Sequence, residues 1–161
     1  MASPGPATIP WPQRPSRGAG SPPEPRGFPP RSDSAYALLM SLADRLLVVL
    51  AGLSGLAGVA VSAAAAHSAG GQNLETAGRF LLIHAAVLVG LAALAGAGLV
   101  HPTAARAAGW VLLVGVVLFA GDLTVRVWRD TALFPMAAPG GGILLMVGWA
   151  LVALAALIPR G

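Results

Sequence analysis

Phe80-Leu81-Leu82-Ile83-His84-Ala85-Ala86-Val87-Leu88-Val89-Gly90-Leu91-Ala92-Ala93-Leu94-Ala95-Gly96-Ala97-Gly98-Leu99-Val100 is a run of apolar and small residues broken once, by His84. As a helix rising ~1.5 Å per residue it is about 31 Å long, the thickness of a bilayer's hydrocarbon core. An ionisable side chain about a turn inside such a span needs a reason to be there.

The pattern recurs. Leu46 to Ala66, Ala107 to about Thr124, and Gly140 to Ile158 are comparable windows, and none shows the alternation of a barrel strand. The fold class expected is an all-α integral membrane protein with four transmembrane helices. Turn chemistry at Gly70-Gly71-Gln72-Asn73, at His101-Pro102-Thr103 and over Asp130 to Pro139 makes neighbouring helices antiparallel. Composition agrees, with 56% hydrophobic and 10% charged residues where a soluble chain has about 25% charged.

Ahead of the spans, residues 1–34 hold ten of the 14 prolines and read as a disordered Pro/Arg-rich extension. Translation from Met40 would remove it and place Ser41-Leu42-Ala43-Asp44-Arg45 directly before the first span. The four-helix domain then occupies residues 40–158. The net charge of +4 comes from ten basic residues, all arginine, four of them within residues 1–34. Basicity in a tail rather than on a folded face, without interleaved aromatics, argues against nucleic-acid binding. The chain has no cysteine, which excludes disulfides, thiolate catalysis and cysteine zinc sites.

Antiparallel connectivity gathers the ends of the first and third helices with the starts of the second and fourth. His67, Arg79, His84, Asp122 and Arg126 therefore form a candidate polar cluster at one membrane face. A carboxylate at Asp122 has to pair or take up a proton there, and His84, Arg79 or Arg126 could serve it. His84 has two readings: a hydrogen bond to a carbonyl or to Asp122 that pins its helix, or a proton relay with Asp122. Three scattered histidines without cysteine predict no metal and no cofactor. No hydroxyl nucleophile has a visible base, so no catalytic residue is assigned and the protein is expected not to be an enzyme.

Small residues mark candidate packing positions. Ser54, Gly58, Ser62 and Ala66 lie four apart on the first helix, and Ala86, Gly90, Leu94 and Gly98 on the second. Such stripes let helices approach closely, within one bundle or between copies. Gly140-Gly141-Gly142 after Pro139 lacks the lysine and hydroxyl residue of a phosphate loop and reads as a tight start to the fourth helix. Trp110 and Trp128 suit interfacial anchors, while Trp149 falls mid-helix and suits packing.

Four blocks carry a family resemblance. Ser62-Ala63-Ala64-Ala65-Ala66-His67 resembles the Gly-Ala-Phe-Gly-Ala-His signature of the domain-of-unknown-function 423 family, which is related to the eukaryotic transmembrane protein 256 group. Thr76 to Phe80 with His84-Ala85 is similar to its Tyr-Gln-x-x-His-Ala block, and Leu118 to Leu123 to Leu-Phe-Ser-Gly-Ser-Leu. Pro139 to Gly142 with Gly148-Trp149 resembles Pro-x-Gly-Gly followed by Gly-Trp. The resemblance spans about residues 40 to 158 and places His67, His84, Gly141, Gly142, Gly148 and Trp149 on motif positions. Asp122 stands where the family has serine. It implies a four-helix protein of the bacterial plasma membrane and brings no established activity. Counting arginines on alternate sides puts both termini in the cytoplasm for the full chain, and gives three against three from Met40. The function expected is a non-enzymatic helix-packing component, alone as a homo-oligomer or with another membrane protein. The alternative is a proton- or small-solute-conducting bundle using His84 and Asp122.

Overall fold

The computed structural model describes residues 41–69 and 71–159. The proline-rich segment and Met40 lie outside them. Four helices account for most of the rest: α1 (Leu42–Ala65), α2 (Gly71–Gly96), α3 (Pro102–Arg129) and α4 (Ala137–Leu157). Each is long and apolar enough to cross a membrane, and no strand occurs among the described residues.

Local chemistry sets the helix ends. Ser41 and Asp44 form a reciprocal capping box at the start of α1. α2 closes with a Schellman turn: Leu99 N–H reaches Leu94 O at 3.0 Å, Gly98 N–H reaches Ala95 O at 3.2 Å, and Gly98 takes φ +64°. Gly98 therefore ends a helix instead of extending a packing stripe. His101 caps α3, its Nδ1 accepting from Ala104 N–H, and Pro102 occupies the first helical position, where a missing N–H costs nothing.

All four helices start ahead of their apolar windows, α4 at Ala137 so that Pro139 and Gly140-Gly141-Gly142 lie inside it, and the shift is largest in α2 and α3. α2 starts at Gly71, not at Phe80, so Gly71-Gln72-Asn73, expected in a turn, are helical. α3 runs from Pro102 to Arg129, beyond both ends of Ala107 to Thr124. Hydropathy marks the stretch that suits lipid, whereas backbone hydrogen bonding continues through polar turns such as Asn73 to Arg79.

Helices α2 and α3 form the inner pair; α1 packs on α2 and touches α3, and α4 packs on α3. A glycine crossing closes each hairpin, α1 on α2 and α4 on α3. A Cβ on Gly58 would lie 3.1 Å from Gly78 O, and one on Gly141 would lie 2.8 Å from Gly115 O and 2.6 Å from Phe119 N. Only hydrogen fits at these approaches, and close backbone contact is what holds helices together in lipid. The buried core runs along the inner pair through Leu74, Leu88, Leu112 and Val116.

Polar clasps hold one end. Asp44 is 0% exposed and receives Arg106 in a bidentate pair, Nε to Oδ1 and Nη2 to Oδ2 both at 2.9 Å, which ties the start of α1 to the start of α3. His101 N–H donates to Ala155 O at 3.0 Å, adding the end of α4 to the same end of the domain. The start of α1 and the end of α4 thus share one side, as an even number of crossings requires.

Candidate functional site: a lateral crevice at His84

His84 is the fourteenth of the 26 residues of α2, counting from Gly71, so it lies at the helix midpoint and not a turn from its end. It is 4% exposed. Its Nδ1–H donates to Phe80 O, one turn back, at 2.8 Å. A carbonyl oxygen can only accept, so this bond puts the proton on Nδ1 and, in the neutral ring, leaves a lone pair on Nε2. Nε2 is buried and has no partner, alone in this respect among the buried side-chain nitrogens and oxygens of the described residues.

The ring borders a crevice of about 410 Å³ between α2 and α4. Phe80 stacks on His84 with centroids 5.8 Å apart, Phe119 of α3 lies 4.6 Å from Phe80, and Trp149 of α4 meets the His84 ring edge-on at 6.1 Å. Pro139, Gly142 and Met146 complete the wall on α4. A Cβ on Gly142 would meet nothing within 4 Å, so the space beside it is open. Ile143, Met146 and Trp149 are also exposed on the outer surface, so the crevice opens sideways, toward lipid. Volume and lining fall in the range of small-molecule sites, which combine an apolar wall with few polar groups.

The other residues of the expected polar cluster are engaged elsewhere. Asp122 is 0% exposed; Oδ2 accepts from Arg126 Nε at 2.7 Å and Oδ1 from Leu133 N–H at 2.7 Å. The Ala138 amide donates to it as well. Met136, at φ +69°, supplies no side-chain cap to α4, so Asp122 caps that helix from α3 and fastens the connecting loop. Of the three partners considered for Asp122, Arg126 is the one engaged. The pairing of Asp122 with His84 is not formed: His84 reaches Trp149, about three turns further along α4 than Ala138. Arg79 is exposed and pairs with Glu75. His67 is exposed in the turn after α1. Among the described residues no group of three His, Asp or Glu could hold a metal ion.

Most of the expected packing positions are used inside the chain. Ser54 Oγ donates to Leu81 O at 3.3 Å, Ser62 lies against Gly78, and Gly148 lets Leu112 approach α4. Gly90 is different, since a Cβ there would meet nothing within 4 Å, and it is no crossing point within the domain. Sequence reasoning missed the Asp44–Arg106 clasp. The signal was present in Ser41-x-x-Asp44 ahead of an apolar run, together with a basic residue near the start of the third helix.

Residues 57–142, from the second half of α1 to the first turns of α4, match a family described as protein of unknown function, DUF423. The chain belongs to this family. The DUF423 match includes His67, His84, Asp122, Gly141 and Gly142, while Asp44, Gly148 and Trp149 lie outside it. A UPF0382 membrane protein from Staphylococcus aureus is 24% identical over 118 residues, covering 69% of this chain and 94% of that protein. Another, from Staphylococcus epidermidis, is 34% identical over 50 residues, or 31% of this chain and 41% of that one. No solved structure matches. The protein is thus a small multi-pass membrane protein of a family without assigned activity, and the names of these relatives carry no enzymatic term.

Proposed function

We propose that the protein is a non-enzymatic membrane component that holds a lipid-soluble small molecule in the crevice between α2 and α4. One observation carries this reading: His84, whose buried Nε2 has no partner, is a wall residue of an aromatic-lined crevice of about 410 Å³. A buried polar atom left unpaired costs roughly 1–3 kcal/mol, and a bound molecule that satisfies it recovers that cost. Helix packing alone leaves Nε2 unexplained. The small-residue stripe on α1 is spent against α2, which lowers the weight of partner recruitment through it. The bacterial relatives and the distribution of arginines favour a plasma-membrane location with both termini in the cytoplasm.

Native mass spectrometry of the protein extracted from its own membranes in mild detergent tests the reading. The wild type is expected to carry an adduct of a few hundred daltons that His84→Leu and Gly142→Leu lose. A homo-oligomer or hetero-complex with no adduct, or an adduct kept by both variants, would replace it with helix packing as the primary role.

A further inference from the structure

We propose that the ligand is a ring-bearing amphiphile that donates a hydroxyl hydrogen to His84 Nε2, as a phenol or the reduced, quinol form of a quinone does. The inference rests on the binding role proposed above and specifies the chemistry of the occupant. Phe80 O accepts a hydrogen bond from Nδ1–H, with N and O 2.8 Å apart, so in the neutral ring Nε2 has only a lone pair to offer. A group that can only accept, such as a ketone, ester or ether oxygen, finds no partner there. A hydroxyl does, and in an apolar enclosure the contrast between a made and an unmade hydrogen bond is large.

The walls favour a flat ring over a plain alkyl chain. Phe80 and Trp149 meet the histidine ring and Phe119 lies against Phe80 in the same wall, and aromatic rings gain from offset or edge contacts beyond their buried area. The open side at Ile143 and Met146 leaves a path by which an alkyl or prenyl tail extends into lipid. Open space beside Gly142 lies along the same wall. The crevice between α1 and α3 lacks this chemistry, since its Ser54 and Thr124 hydroxyls are both occupied, donating to Leu81 O and Ala120 O.

The test is equilibrium binding to the full chain in nanodiscs of four probes: a para-alkylphenol, its methyl ether, an n-alkanol of equal length, and a short-chain benzoquinone in oxidised and reduced forms. The phenol is expected to bind at least tenfold more tightly than the ether and than the alkanol, and the quinol more tightly than the quinone. In His84→Leu, phenol and ether bind alike. Gly142→Leu, whose Cβ meets nothing within 4 Å, fills the crevice while leaving His84 in place and should bind neither. If no probe binds the wild type, the small-molecule reading itself falls. Equal binding of phenol and ether leaves that reading standing and overturns the hydroxyl assignment; an alkanol as tight as the phenol overturns the ring. Preference for the quinone overturns the donor direction.

Discussion

Two of the crevices on the flanks of this domain are nearly the same size: about 430 Å³ between α1 and α3, with Leu81 of α2 in its wall, and about 410 Å³ between α2 and α4. Volume does not separate them. The first is lined by leucine, valine and alanine with Gly121, one exposed ring, Trp128, and two hydroxyls, both already hydrogen-bonded to carbonyls. Lipid chains suit its aliphatic wall, and its hydroxyls need no further partner. The second is lined by a histidine whose Nε2 is unpaired, with Phe80 and Trp149 against its ring and Phe119 against Phe80, and lipid chains cannot satisfy that nitrogen. Unmet hydrogen-bonding capacity, more than empty space, distinguishes a binding site from a packing defect.

The largest test of this contrast is at the clasp beside the first crevice. Asp44→Ala leaves the Arg106 guanidinium without its bidentate partner and removes the capping box, a loss of about 3 kcal/mol or more. Unfolding measured by steric trapping should show that loss. α1 should loosen from α3 while ligand retention at His84 stays unchanged, and a parallel fall in retention would show that the two crevices are not independent.

Next comes Gly141→Ala. Its new Cβ would press on Phe119 N and Gly115 O, backbone atoms that cannot swing aside, and overpacking of this kind costs about 1–3 kcal/mol. Because α4 forms one wall of the second crevice, this variant should weaken binding there as well as stability. Smaller is the effect of Ser54→Ala, which removes the hydrogen bond to Leu81 O in the first crevice; interhelical bonds in membranes average about 0.6 kcal/mol. Gly142→Ala, one residue from Gly141 but facing open space, should change stability by less than about 0.5 kcal/mol. Thermal unfolding of these three variants should rank them in this order.

Much of the fold could be read from composition and periodicity. Four apolar windows gave four helices, and short turns gave their alternation. What hydropathy could not give was helix extent, and that had a consequence for the site. Extending α2 back to Gly71 moves His84 from near a helix end to its middle, away from the level at which Asp122 caps α4. The expected pairing of the two fails for this reason. The Asp44–Arg106 clasp could have been found, since antiparallel connectivity brings the starts of α1 and α3 together and their charges are opposite. The difference between Gly141, which touches backbone, and Gly142, which faces a void, is set by the rotation of α4 about its axis. A helix that is apolar on every side leaves no stripe from which to read that rotation.

On this reading the second crevice holds a ligand and the first holds only lipid. Photolabelling with an alkylphenol carrying a diazirine on its ring, followed by peptide mapping, tests it most directly. The expected result is labelling of Phe80, Phe119, Met146 and Trp149 that is lost in His84→Leu, with Leu50, Leu53 and Trp128 unlabelled. Equal labelling of both crevices, indifferent to His84, would contradict it.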